Sequence, residues 1–434
     1  MKKIKITMLV LLCILAVGLC GVLVYGMAGQ NLYGTKYVNS ASQLVMEKEV
    51  SLDGVDRICV TYDMNNNDIR ISEAEGDMLT VKEYNTEELA EDEISTVEVD
   101  GSRLEVKGKK RNRTNYVYFG TYYDEHMGNY TEIGLPSSYR GELVFLTSSG
   151  DISSKMDIAI GNTFKAATSS GDVCIPNITA QDVSIECSSG DVQLDKISTE
   201  LGEAAGDIAI KTTSGDIEAD QLTGTVNLAT SSGEIAVRQM TGDADLRTAS
   251  GSIESENILG NAQVTATSGD VSIQCIEGDV TADSSSGAVQ IYEGSGKRTV
   301  RTTSGEIVLE QLTDVWEVKA SSGAVTIKAQ EGSGSICTTS GDIKVDLGRL
   351  TGNLTLESSS GLAEIRISED NAFDFKAATS SGDIDTFFDD ELVFSQKRNS
   401  AEGVYKTSET GSRIVVRTTS GDVRVINYTG GQKD

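Results

Sequence analysis

A Ser-Gly step returns every eighteen residues through the middle of this chain, and that interval restricts the fold more than any other feature. Its glycines stand at Gly215, Gly233, Gly251, Gly269, Gly287, Gly305, Gly323 and Gly341. Looser copies flank them at Gly150, Gly171, Gly190, Gly361, Gly382 and Gly421, and a weaker one, AAGDI, falls at Gly206. The halfway position is marked as well, by Gly224, Gly242, Gly260, Gly278, Gly296, Asp314 and Gly332. A fixed period this short is the signature of a solenoid. Counted from the Ser-Gly glycine, apolar or small residues recur at the second and fourth positions (Ile217 and Ala219, Ile235 and Val237, Val271 and Ile273), at the seventh (Leu222, Met240, Ile258) and at the thirteenth (Leu228, Leu246, Val264). A spacing of two is the strand period, not the helix period. The sequence therefore predicts an all-β fold, a parallel β-solenoid with about 18 residues per coil. Each coil holds two short strands joined by two tight turns, and the coils stack about 4.8 Å apart. Roughly twelve to fourteen coils give a stack of about 60 Å at that spacing.

The eight regularly spaced glycines are read as structural turn glycines. A chain that reverses every nine residues needs positive φ at its corners, which glycine adopts without a Cβ clash. The flanking Ser, Thr and Asp bond back to the turn backbone. Calcium is the alternative, because nine-residue half-coils also describe a calcium-binding β-roll. The column after the glycine reads Glu234, Ser252, Asp270, Ala288, Glu306, Ala324, Asp342, so alternate coils lack a carboxylate there. Calcium takes six to eight oxygens. Stacked carboxylates about 4.8 Å apart repel by about 1 kcal/mol even in water, so the alternation reads as relief of repulsion. No cofactor is expected.

The 434 residues include 66 acidic and 37 basic side chains, a net charge of −29 that argues against nucleic acid as a partner. The N-terminus differs. Lys2, Lys3 and Lys5 precede a run that is uncharged from Ile6 to Gly29. About 20 apolar residues span a bilayer, and the lysines keep the N-terminus inside. Residues 1–28 are read as one transmembrane signal anchor, with cleavage after Ala28 as the alternative. The chain is then a single-pass cell-membrane protein whose solenoid faces the extracytoplasmic side. Residues 29–50 follow as a linker, 51–140 as a β-rich N-terminal capping module without the repeat, 141–385 as the solenoid and 386–434 as a C-terminal cap. Cys59, Cys174, Cys187, Cys275 and Cys337 are scattered, with no Cys-x-x-Cys, so neither zinc nor a disulfide framework is signalled.

Residues able to do chemistry are few. His126 is the single histidine, which removes His-based triads and His-metal clusters. No phosphate-binding loop is present, and no pair of acids stands apart from the repeat. The chain is expected not to be an enzyme. NYVYFGTYYDEHMGNY supplies Tyr116, Tyr118, Tyr122 and Tyr123 as ligand-contact candidates, since tyrosine offers contact area with a polar tip. A hairpin with packed aromatics is the alternative. KGKKRNR, from Lys107 to Arg113, is a basic run in an acidic chain, read as a solvated turn or as a contact for an anionic wall polymer or lipid headgroups. Trp316 falls beside the core columns and is assigned to packing.

TEIGLPSSYRGELVFLTSSGDI at 131–152, the repeated TSSGDI and TTSGDV units and the final TTSGDVRV together resemble the bacterial putative-adhesin family, over roughly residues 50–426. The resemblance implies a β-solenoid of extracytoplasmic, often membrane-anchored proteins, and it supplies no catalytic residues. The expected function is a non-enzymatic, membrane-anchored module for adhesion, scaffolding or cell-envelope sensing, with a protein or cell-wall polymer as partner. A calcium-stiffened stalk and a polysaccharide-acting enzyme are the alternatives, the last by analogy of fold alone.

Overall fold

The computed structural model describes residues 42–62, 67–110, 128–200, 205–406 and 411–428. The N-terminal apolar run, His126, Tyr116, Tyr118, Tyr122 and Tyr123 lie outside the described residues. Among the described residues no helix is long and apolar enough to cross a membrane. Apart from a single 3-10 turn at Asp389–Glu391, their regular structure is β.

Each coil contributes one strand to each of two parallel ladders. Ile217–Thr223 pairs with Ile235–Thr241, and the ladder continues through Ile253–Leu259, Val271–Glu277 and Val289–Ser295. On the other side Thr225–Thr230 pairs with Ala244–Thr248, then Ala262–Ala266, Val280–Ser284 and Arg298–Thr302. The registers Ile217↔Ile235 and Val226↔Ala244 advance by one eighteen-residue period. Ile217, Ala219, Leu222, Val226 and Leu228 point inward and are buried. The inward step from Ala219 to Leu222 is three rather than two. The ladder passes over Asp220 at that point, pairing Ala219 with Val237 and then Gln221 with Gln239. The strand bends there, so Leu222 returns to the core. A fully buried apolar side chain contributes about 1.5–3 kcal/mol, against about 1–2 kcal/mol for fixing each residue's backbone. A lone coil cannot meet that cost over eighteen residues, and stability comes from stacking.

The parallel stack begins before residue 141. Arg57–Tyr62 and Asp68–Glu73 pair in parallel with Glu142–Thr147 and Ile152–Ser154. Arg103–Lys107 and Tyr130–Leu135 add one more layer outside them. Antiparallel strands then close this end: Thr96–Asp100 on Arg103–Lys107, Met78–Asn85 on Tyr130–Leu135, and Gln43–Ser51 on Met78–Asn85. Gln43–Ser51 is thus a strand inside the span read as linker. Glu47, Lys48 and Glu49 on one edge strand and Glu98 and Asp100 on the other are exposed, and such charges discourage further edge pairing.

At the other end, spatial order departs from chain order. Arg413–Ser420 lies between residues 353–360 and Phe373–Ser381. Val423–Asn427 lies between Ala363–Ile367 and Ile384–Thr386. Part of the segment read as a cap is therefore the penultimate layer. The true closure is the antiparallel pair Ser400–Tyr405 and Leu392–Phe394 with an aromatic plug of Phe373, Phe375, Phe387, Phe388 and Tyr405. Phe388 meets all four other rings, at centroid distances of 5.5, 5.3, 4.9 and 4.9 Å. Phe388→Ala is expected to lower unfolding free energy by about 3–5 kcal/mol, measured as a fall in the urea midpoint. An unchanged midpoint would show that the plug does not seal the stack.

Candidate functional site

The Thr-Ser-Ser-Gly-Asp corner is the feature the chain repeats most, so its chemistry decides whether it is a working site. Of the eight glycines expected to hold positive φ, only Gly341 does, at 150°. Gly215, Gly233, Gly251, Gly269, Gly287, Gly305 and Gly323 do not, and this corrects the reading of their role. The left-handed positions are the halfway glycines, with Gly224, Gly242, Gly260 and Gly278 at φ 146°, 116°, 146° and 146°. Close stacking is what excludes a side chain at the Ser-Gly corner. A Cβ on Gly251 would sit 1.7 Å from the carbonyl oxygen of Gly233, and one on Gly233 would sit 1.9 Å from that of Gly215. Glycine is required because the neighbouring backbone occupies the space.

The polar residues of the motif hold this stack together. Thr230 Oγ1 accepts the Gly233 N–H at 3.0 Å and donates to the Gly215 carbonyl at 3.2 Å. Thr168, Thr212 and Thr248 repeat both bonds. Asp216 Oδ1 accepts the Glu234 N–H of the next coil at 2.8 Å, as Asp191 accepts from Asp216 and Asp172 from Asp191. At these corners the threonine ties the corner to the coil before it, and where an aspartate follows the glycine it ties the corner to the coil after. Asp243, Asn261 and Asp279 do the same at the halfway turn. Asp151, Asp172, Asp191, Asp216 and Glu234 occupy consecutive coils, so neutral residues do not separate the acids in this half. The donated N–H groups offset the repulsion there. At Glu234, burial first, then Glu254 and Asp216, raise the carboxyl above its ordinary value. No group of three or more candidate metal ligands occurs among the described residues.

The serines between Thr and Gly face solvent and border two open troughs at equivalent places on one edge. One, of 540 Å³, runs past Ser148, Ser169, Ser188 and Thr213. The other, of 390 Å³, runs past Thr267, Ser285, Thr303 and Ser321. A third trough, of 310 Å³ on the opposite ladder, is flanked by Glu218, Asp220, Glu254 and Glu256, with Arg238 bridged to Asp220 at 2.7 Å. In the outer N-terminal layer, residues 108–129 link Arg103–Lys107 to Tyr130–Leu135, the strands that pair with Arg57–Tyr62 and Asp68–Glu73. The two ends of this link are fixed by Gly108 N–H to Thr61 O and Asp68 N–H to Asn129 O. The basic run starts at this link with Lys107, Lys109 and Lys110, and the candidate tyrosines belong to its residues outside the described set.

The sequence reading missed Arg298. Its side chain is 1% exposed, and its guanidinium donates to the carbonyls of Gly278, Ile276 and Ser295. Burial lowers its pKa, against Asp314 and Asp279, which raise it. Gly294, standing where other coils place Leu222 or Ile276, makes the room: its Cβ would meet Arg298 Nη2 at 2.6 Å. Trp316 stacks in register on Arg298 and fills space left by Gly332 and Gly334. The signal was Gly294 in an apolar column four residues before an arginine. The pair is a core substitution. Cys187 sits at a corner threonine position, and burial pushes its thiol up to about 12.

The family described as Toastrack DUF4097 matches the chain over residues 55–254, 240–333 and 295–426. No curated protein matches it. Two crystal structures align with it. One is a "putative cell adhesion protein from Clostridium sporogenes ATCC 15579", at 10% identity and a TM-score of 0.17, covering 89% of this chain and 100% of that one. The other is a "Putative lipid binding protein from Parabacteroides distasonis ATCC 8503", at 15% identity and a TM-score of 0.21, covering 71% and 97%. Likeness at these scores carries no functional argument.

The corner chemistry sets an order of mutational costs. Thr230→Ala is expected to lose about 1 kcal/mol. Ala266, at the equivalent position of its own coil, has no hydroxyl, so Ala266→Thr is expected to gain about 0.5–1.5 kcal/mol. Gly251→Val overlaps backbone atoms and costs more than either, while Glu234→Ala costs least. Urea midpoints of the four variants check the order, and a Gly251→Val midpoint equal to wild type would refute the stacking account.

Proposed function

The chain belongs to the Toastrack DUF4097 family, and on that premise we propose that it is a non-enzymatic β-solenoid that serves as a scaffold for adhesion or cell-envelope sensing. In this proposal its N-terminal segment holds it in the cell membrane and the solenoid stands on the extracytoplasmic side. The observation that carries the reading is the employment of the repeated polar residues. Threonine and aspartate are engaged in bonds between coils, and two troughs lie at equivalent places along the Ser-Gly edge. Hydroxyls repeating about every 4.8 Å suit an extended polymer better than a compact substrate. A net charge of −29 favours an uncharged or cationic partner. The membrane placement is supported by Lys2, Lys3 and Lys5 ahead of the uncharged run from Ile6 to Gly29.

Protease added to intact cells is expected to remove the solenoid and leave a membrane-held stub. The full chain in membranes is expected to retain an uncharged or cationic cell-wall polymer fraction. Thr303→Trp, which fills one trough from an exposed position, is expected to weaken retention roughly tenfold, the equivalent of 1.4 kcal/mol, without moving the urea midpoint. Full protection from protease would overturn the placement, and unchanged retention would remove the trough as the contact surface.

The calcium-stiffened stalk differs in one measurable respect. With Asp216 and its equivalents bonded to backbone N–H groups, thermal melts in chelator and in excess calcium are expected to coincide. A large upward shift with calcium would move the reading to the stalk.

A further inference from the structure

The C-terminal end of the stack, like the N-terminal one, is not laid down in chain order. After the Gly361 corner and Ala363–Ile367, the chain skips one layer and builds Phe373–Ser381 and Ile384–Thr386. It then returns with Arg413–Ser420 and Val423–Asn427 to fill the gap. The coils from Gly171 to Gly341 continue at both ends into the layers they stack on. Residues 413–420 enter the gap on one side of Phe373–Ser381, while Ser400–Tyr405, which precedes them in the chain, pairs on its other side. The crossover that skips the gap has contacts of its own. The Asn371 amide donates to the Gly348 carbonyl at 2.8 Å and accepts the Leu350 N–H at 2.7 Å, neither of them in the inserted segment.

What the segment brings is complementary to both walls. Ile414, Val416, Val423 and Val425 are buried. Arg417 pairs with Glu357 at 2.7 Å and Arg424 with Glu364 at 3.7 Å. Gly421 stacks between Gly361 and Gly382 as closely as Gly171 does on Gly150, its Cβ position lying 2.0 Å from the Gly361 carbonyl. Toward the outer wall the corner device is kept, with Thr379 Oγ1 donating to the Gly421 carbonyl at 3.1 Å and Asp422 Oδ1 accepting the Asp383 N–H at 3.0 Å; toward the inner wall Thr418 Oγ1 is buried without a hydrogen-bond partner, where Thr230 makes two bonds.

We propose that this gap is a strand-acceptor site and that its occupant in trans is the 411–428 segment of a second copy of this chain. The contacts depend on the segment's sequence and not on which chain carries it. Occupancy in cis or in trans is therefore set by relative concentration, the linked segment competing at an effective concentration of about millimolar order. Reciprocal exchange between two copies closes a symmetric dimer, and one-way exchange propagates a linear assembly. Main-chain bonds to both edges give affinity, and the glycine corner with its flanking arginines gives register.

The test uses the full chain with the exposed Cys174 and Cys337 replaced by serine. One preparation carries Glu357→Cys and another Arg417→Cys, the two positions being in register. A chain carrying both is expected to close a disulfide within itself at low concentration, which establishes the geometry. The two single-cysteine chains, mixed at rising concentration and then oxidised, are expected to form a covalent heterodimer. Its yield should be at least about tenfold above that from Glu357→Cys mixed with Arg424→Cys, since Arg424 is in register with Glu364 instead. Equal yields from matched and mismatched pairs overturn the proposal. Failure of the double variant to close within one chain overturns the register on which it rests.

Discussion

The structure depends on backbone meeting backbone at one corner of every regular coil. Carbonyl oxygens of one corner lie where the Cβ of the next would be, as at Gly233 and Gly251. That approach fixes the glycine, lets Thr230 and its equivalents reach two corners at once, and brings each aspartate within hydrogen-bond distance of the next coil's N–H. Thr-Ser-Ser-Gly-Asp is therefore one device: glycine permits the contact, threonine and aspartate bind across it, and serine takes the solvent side. The repeating outer surface is a consequence of the same device.

The core tolerates departures from the repeat provided volume is conserved within neighbouring layers. Arg298 enters a column of small apolar residues because Gly294 opens the adjacent one, and three carbonyls accept its N–H groups. Trp316 in the next layer is balanced by Gly332 and Gly334. A buried guanidinium without such acceptors would carry a large desolvation cost, so Gly294 and Arg298 form a coupled pair. The corner itself changes along the stack. From Gly341 onward Gly361 and Gly382 also take positive φ, at 118° and 158°, and the threonine clamp is absent at Thr338 and Thr418. The end that admits an inserted layer is thus the end with the altered corner.

Both termini of the stack solve the open-edge problem with antiparallel strands, by different means. The N-terminal end stacks several strands and leaves charged edges at Glu47–Glu49 and at Glu98 and Asp100. The C-terminal end uses a short antiparallel pair and an aromatic plug centred on Phe388. Parallel coils need no sequence-distant partner. The ends do, and there the chain order and the spatial order separate.

Period and local chemistry determined the regular part of this protein from sequence alone. An eighteen-residue interval with apolar residues at alternate positions leaves little besides stacked parallel strands, and the inward columns at Ile217, Leu222 and Leu228 follow from it. The glycine columns were legible as corners, but the reason for them was not. Whether Gly251 is needed for φ or for space depends on Gly233, eighteen residues away, and a sequence shows spacing without showing distance. The same limit hid the coil of Arg57–Tyr62 and Asp68–Glu73, because its two strands lie outside the repeat and are recognisable only by pairing with Glu142–Thr147 and Ile152–Ser154. It hid the placement of residues 413–427 too, since a final TTSGDVRV reads as the last coil and only hydrogen bonding to both sides shows it to be the penultimate one. Local pattern fixes what each segment is; tertiary structure decides which segments are neighbours, because edge strands of equal pattern are interchangeable until packing and register select one.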